Sequence, residues 1–222
     1  MPVLDEAEGI IAALQALGPY RRDGVELIVV DGGSRDRTIE LARPHADQMI
    51  AAPRGRASQM NAGAAAASGD VLLFLHADTR LPEHADQVIQ DGLTRTGRDW
   101  GRFDVTISGE SPLLPMIALA MNLRSWLTSI ATGDQAMFMT RAAFDKVGGF
   151  ADIALMEDIA MSRALKRLSR PFSLRQKVAT SGRRWEKHGV LRTILLMWRL
   201  RLAYYFGAAP QALARRYGHV PR

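Results

Sequence analysis

Residues 27–30 (LIVV) and 71–75 (VLLFL) are apolar at every position, and each run meets an acid within three residues: Asp31 in the first case, Asp78 in the second. A strand without polar alternation offers no face to water, so both belong in a sheet covered by helices on two sides. The sequence around them supplies such helices. Ile10, Leu14 and Leu17 have helical spacing, so residues 6–17 read as a helix. Residues 34–43 read as a second, with Ser34 or Asp36 as N-cap. QMIAAP is a short strand, residues 56–67 an alanine-rich helix, and 82–93 a helix opening on proline. This alternation predicts an α/β fold of parallel strands joined by helical crossovers. Only Pro2, Val3 and Leu4 precede the first helix, so the chain is expected to open on the tail of a first strand.

Beyond residue 100 the rhythm changes. GRFDVTIS, QAMFMT and FSLRQKVAT read as strands, and residues 112–130, 157–169 and 188–206 as helices. At 222 residues the chain fits one domain with a C-terminal extension, divided here as 1–185 and 186–222. With no cysteine, disulfides, thiolate metal sites and cysteine nucleophiles are excluded, which suits a reducing cytoplasm. The N-terminus is acidic rather than cationic and then apolar, so no signal peptide is expected. No uncharged run is long enough to span a bilayer. Charge is uneven: residues 181–222 carry nine Lys/Arg against one acid, a net +8, and the rest of the chain −2. A basic tail on a faintly acidic body points to a polyanionic partner.

Ligands of open parallel sheets bind beyond the carboxyl ends of the strands. Asp31 and Asp78 are expected at that edge, with Glu6 just past the first strand remnant. Taken singly, each acid equally fits a turn or a helix cap. Neither G-x-x-x-x-G-K-[ST] nor G-x-G-x-x-G occurs, so a phosphate ligand would need a metal and arginines, for which Asp78, His76, Arg54 and Arg56 are candidates. Glu157 and Asp158 open a helix, where the macrodipole favours carboxylates. In SGRRWEKHG, paired arginines can hold a diphosphate and Trp185 can stack on a sugar ring; a solvated loop with Trp185 in the core is the alternative.

Taken in order, PVLDE, VVDGGSRDRT, RASQMNAG, LFLHADT, GDQAMFMTRAAFDKVGGF, MEDIAMSRALKR and RRW resemble the family 2 glycosyltransferases with the GT-A nucleotide-sugar fold, from residue 2 to about 190. The resemblance implies a mostly parallel central sheet and a nucleoside-diphospho-sugar donor. It implies donor contacts from Pro2, Glu6, Asp31, Arg56 and Arg184, with Asp31 on the base or ribose. HAD stands where the family has Asp-x-Asp, so Asp78, with His76 beside it, would bind Mn²⁺ or Mg²⁺. Asp158 matches the base that deprotonates the acceptor, supported by Glu157, and a single base implies inversion. Asp134 and Trp185 fall on the acceptor side. RRW is a shortened Q-x-x-R-W, with Ser181 where Gln is expected. FLHADT with GDQAMF most resembles a bacterial subgroup linked to small lipophilic or arsenic-containing sugar products.

In residues 188–206, Leu191, Ile194, Leu195, Trp198, Leu202 and Tyr205 form one stripe, edged by Arg192 and Arg199 on one side and Arg201 on the other. That pattern describes a helix in a membrane interface or one packed on its own core with a basic back. The first suits a cytoplasmic protein on the inner face of the membrane with a lipophilic or lipid-linked acceptor. Three rivals remain: a sugar-phosphate nucleotidyltransferase, for which LDEAEGI lacks the glycine-rich loop; a binding or scaffolding protein of the same fold without catalysis; and a nucleic-acid binder, for which the tail lacks a recognised motif.

Overall fold

The computed structural model describes residues 1–218. Its first part holds β1 (Pro2–Val3), α1 (Ile10–Gln15), α2 (Gly18–Arg22), β2 (Ile28–Asp31), α3 (Thr38–Ala42), β3 (Gln48–Ala51) and α4 (Arg56–Ala66). β1, β2 and β3 form a parallel sheet in that order, with Val3 opposite Asp31 and Asp31 opposite Ala51. The first strand is short, as its sequence suggests. It is clasped by Gln59 of α4, whose Nε2 donates to the carbonyls of Val3 and Val30, both at 2.8 Å.

The second part holds β4 (Val71–Leu73), β5 (Thr79–Arg80), α5 (Ala85–Thr96), β6 (Trp100–Ser108), α6 (Leu114–Thr128), β7 (Phe138–Thr140), α7 (Arg141–Val147), α8 (Glu157–Leu165) and β8 (Phe172–Ser181). Its strand order is β4-β7-β6-β8-β5. Here the pairing is mixed: β6 and β8 are parallel, whereas β7 runs antiparallel to both β4 and β6, and β5 antiparallel to β8. The apolar run 71–75 therefore belongs to an edge strand, and Val71 is 37% exposed. Its inner residues are apolar because layers cover them: Leu72 and Phe74 pack among Met60, Phe144 and Phe150, and Leu75 in the main core with Phe103 and Phe138. Helices flank the parallel three-stranded sheet and the mixed five-stranded one in an α/β architecture.

Three helices follow: α9 (Arg183–His188), α10 (Val190–Tyr205) and α11 (Pro210–Tyr217). They do not hang free. Val190 and Ile194 pack with Ile117 and Ala118 of α6, while Leu200, Leu213 and Ala214 pack with Leu155, Met156 and Ile159 at the start of α8. α10 thus bridges two separate walls. The apolar stripe expected on this helix is not its core face. Leu191, Leu195, Trp198, Leu202 and Tyr205 are all exposed, and Thr193 and Leu200 are buried instead. Across from them α6 exposes Met116, Leu119, Leu123 and Leu127. No helix among the described residues is long and apolar enough to cross a membrane.

Candidate functional site

The carboxyl ends of the strands open into a cleft of about 1770 Å³. Pro2 and Val3 of β1, His76–Asp78 after β4, Ile107 of β6 and Thr180–Ser181 of β8 line its floor. Pro2, Glu6, Arg56, His76, Asp78, Asp134, Glu157, Asp158, Arg184 and Trp185 all border it. Asp31 does not. Its carboxylate closes the turn after β2, accepting from the amides of Gly33 (2.8 Å) and Ser34 (3.0 Å) and from the Ser34 hydroxyl (2.5 Å). Buried at 4% exposure, it has the turn-closing role that its sequence equally allowed.

The far wall is built on the first turn of α8. Met156, just before it, is buried in a left-handed conformation at φ +72°, uncommon for a residue with a long side chain. Asp158 is oriented by two amides: Oδ2 accepts from Gly133 at 3.1 Å and Oδ1 from Ile159 at 2.7 Å. Glu157 is buried; desolvation first, and the neighbouring Asp158 charge second, push its carboxyl above the usual range.

Asp134 faces this wall from the turn at 133–135, its Oδ1 3.5 Å from His76 Nδ1. Desolvation works to raise its carboxyl. The His76 hydrogen bond and the charges of His76, Arg56 and Arg201 outweigh it and hold the group below its ordinary value. The side chain is still 45% open to solvent through the cleft. Gly133 is what allows this approach: a Cβ there would lie 2.3 Å from His76 Cε1. His76, expected to stand with Asp78 as a metal ligand, thus turns its ring to Gly133 and Asp134 instead.

Cations fill the space between. Arg56, the first residue of α4, is desolvated, which lowers its pKa, but Glu157, Tyr217, Asp134 and Asp158 raise it further, so its charge is secure. Arg183 reaches across the mouth to Glu6 and Glu8, 3.7 Å from each. Desolvation raises the Glu6 carboxyl, Arg183 opposes that, and Asp78 adds to it. Arg184 is tied to α11, donating to the Tyr217 carbonyl at 3.0 Å with its guanidinium 3.6 Å above the Tyr217 ring. Trp185 is half-buried against the Leu114–Ile117 end of α6.

The sequence reading missed Arg124 of α6 and the inward turn of Arg201 of α10, both of which line the cleft. Burial, then repulsion from Arg201, lowers the Arg124 pKa to about 10. A signal was available, since Arg124 is the lone charge in the otherwise uncharged run 111–127. Among the described residues no three His, Asp or Glu side chains converge to hold a metal. Asp78 offers one exposed carboxylate at the cleft.

A family model described as glycosyl transferase family 2 matches residues 1–148, about two-thirds of the chain. The chain belongs to that family. This family 2 chain is 27% identical over 165 residues to the probable glycosyltransferase YdaM of Bacillus subtilis (strain 168), covering 64% of its own length and 39% of that protein's. Among solved structures it is similar to S. aureus TarS 1-349 (TM-score 0.62, 14% identity, 97% of this chain and 66% of that one). It is also similar to the mannosyltransferase PcManGT of Pyrobaculum calidifontis, in complex with GDP-Man and Mn²⁺ (TM-score 0.62, 22% identity, 99% and 64%). A third is the M. tuberculosis glucosyl-3-phosphoglycerate synthase with Mn²⁺ and UDP-glucose (TM-score 0.60, 20% identity, 81% and 67%). The chain thus spans about two-fifths of its curated relative and about two-thirds of these structures.

Proposed function

We propose that this family 2 domain moves a sugar from a nucleoside-diphosphate donor to an acceptor hydroxyl, with inversion at the anomeric carbon. The observation that carries the reading is one cleft in which Asp158 and Asp134 face Arg56, with Asp78 and Glu6 at the strand ends beside them. Relatives that share the fold bind such donors, UDP-glucose and GDP-Man among them.

Pro2 and Glu6 hold the nucleoside side, and Arg56 and Arg184 the diphosphate side. Asp31 shapes the turn beside them. The donor set suits an ion shared with the ligand rather than caged by protein: Asp78 would hold it with its one carboxylate. When bound, Mn²⁺ or Mg²⁺ supplies positive charge against the leaving diphosphate. The bond from the anomeric carbon to the phosphate oxygen breaks as the acceptor oxygen bonds from the opposite face, and Asp158 takes the acceptor's proton. Asp158 is the base because the alternatives are engaged: Glu157 is buried with its proton held more tightly than usual, and Asp134 is bonded to His76. His76 positions Asp134, and Trp185 lies on the acceptor side.

Replacement Asp158→Asn tests this. Binding of UDP, GDP or dTDP sugars, followed by thermal shift with and without Mn²⁺, should be unchanged while transfer falls to background. Retained turnover removes Asp158 from the role. Donor binding without any hydrolysis or transfer by the unaltered protein would make it a binding protein instead.

The exposed apolar stripe of α10, with Arg192 and Arg199 exposed alongside and +8 on residues 181–222, fits the surface of an anionic membrane. The same stripe borders the cleft through Leu195, Trp198, Leu202 and Tyr205, so a lipophilic acceptor would reach the base without leaving that surface. Co-sedimentation with vesicles containing phosphatidylserine, and none with neutral vesicles, is the expected result. Equal partition to both, or to neither, refutes it.

A further inference from the structure

Arg124 and Arg201 stand apart from the other cations of the cleft in having buried guanidinium nitrogens without a hydrogen-bond partner. Nε and Nη2 of Arg124 and Nε of Arg201 are buried without a hydrogen bond. Among the described residues neither has an ion-pair partner, in contrast to Arg183, which has Glu6 and Glu8. Buried donors without acceptors are uncommon and costly, and a cationic donor costs more than a neutral one. Here two such cations also repel each other, each arising from a different helix, α6 and α10. The unpaired atoms of Arg124 are Nε and Nη2, the edge of a guanidinium that presents two parallel N–H bonds to an oxyanion.

Their position within the cleft shows which side such an anion would occupy. The acids that act on Arg124 and Arg201 are Asp158 and Asp134. The charges acting on Glu6 are Arg183, Asp78, Arg56 and Asp36. Leu200, next to Arg201 in α10, packs on Leu155, Met156 and Ile159, which flank Asp158, so the unpaired arginines belong to the wall that carries the base.

We infer that Arg124 and Arg201 form an oxyanion site on the acceptor side of the cleft, and that the acceptor is a phosphate-bearing molecule whose phosphate docks there while its hydroxyl faces Asp158. This rests on the glycosyl-transfer reading and names the class of acceptor for it. Two guanidinium groups from different helices, one presenting its bidentate edge, match a phosphate, which offers three free oxygens, better than a carboxylate with two. The fork also explains why arginine occupies α6 in a run of otherwise uncharged residues: lysine would bring the charge without the paired donors.

The test is calorimetric titration with inorganic phosphate, with the protein alone and again with the protein saturated in Mn²⁺ and whichever of UDP, GDP or dTDP binds. Phosphate is expected to bind in both conditions. Arg124→Met and Arg201→Met should each weaken phosphate binding at least tenfold and leave nucleotide affinity within about twofold. Arg124→Lys, which keeps charge and fold but loses the fork, should weaken phosphate binding as well. Absence of phosphate binding, or binding that the three variants leave intact, overturns the site. Phosphate displaced by the nucleotide, or variants that lose nucleotide affinity, would assign the arginines to the donor's own diphosphate and overturn the acceptor assignment. If no nucleotide binds at all, the transfer reading fails on that arm, while the titration of the protein alone still decides the anion site.

Discussion

Replacing Arg124 by methionine is expected to make the protein more stable. The guanidinium is held down to about 10, chiefly by burial. At about 1.4 kcal/mol per pKa unit, keeping its charge costs the folded state roughly 3 kcal/mol. Solvent entering through the cleft reduces that to about 1–3 kcal/mol. Its Nε and Nη2 make no hydrogen bond that the substitution would forfeit, and methionine keeps most of the packing of the stem. For a chain of this size each kcal/mol moves the melting temperature by about 2–4 °C, so Arg124→Met should raise it by roughly 2–12 °C. A base whose folded-state pKa is depressed stays charged at all pH values below that pKa, so the cost is fully present and constant from about pH 5 to pH 9. The rise should therefore not vary over that range. Differential scanning calorimetry in phosphate-free buffer measures it. A fall in melting temperature would show that the guanidinium stabilises the fold through contacts of its own, leaving an anion nothing to relieve there.

Two further outcomes follow from the same wall of the cleft. The Glu157 carboxyl is raised above its ordinary value of 4.5, so the folded state holds the proton more tightly and stability is lost as pH rises through the folded pKa. Glu157→Gln should match the unaltered protein near pH 4 and exceed its melting temperature at pH 8; a constant difference between the two pH values would contradict this. Gly133→Ala should drive the His76 ring away from Asp134, since the new Cβ would lie 2.3 Å from Cε1, and lower kcat by about 10- to 100-fold while donor affinity holds. An alanine variant with normal turnover would mean that the His76–Asp134 contact has no part in positioning.

Much of this arrangement is legible in the residues. The apolar run at 27–30 does lie in a strand buried along its length, and the Glu157–Asp158 pair does open α8, because hydrophobic period and helix-start chemistry are local properties. What escaped depends on partners distant in sequence. Asp31 looks as able to bind a ligand as Asp78, and only the fold shows that it also accepts from Gly33 and Ser34 to close the turn after β2. The stripe on α10 has the same period whether it faces core or solvent; the choice was made by Leu200 and Thr193, which take the buried side against α8 and its neighbours. The antiparallel entry of β7 between β4 and β6 is a pairing choice that no single strand encodes. α7, capped by the Thr140 hydroxyl at 3.1 Å from the Ala143 amide, is too short for a periodic signal.

The family match stops at residue 148, yet Glu157 and Asp158, the paired arginines of α9 and the bridging helix all come later in the chain. The cleft is therefore lined by both stretches, and α10 is the span that ties α6 to the opening of α8. A substitution on the buried face of α10 would disturb two sides of the cleft at once, whereas one on its exposed stripe would leave both in place.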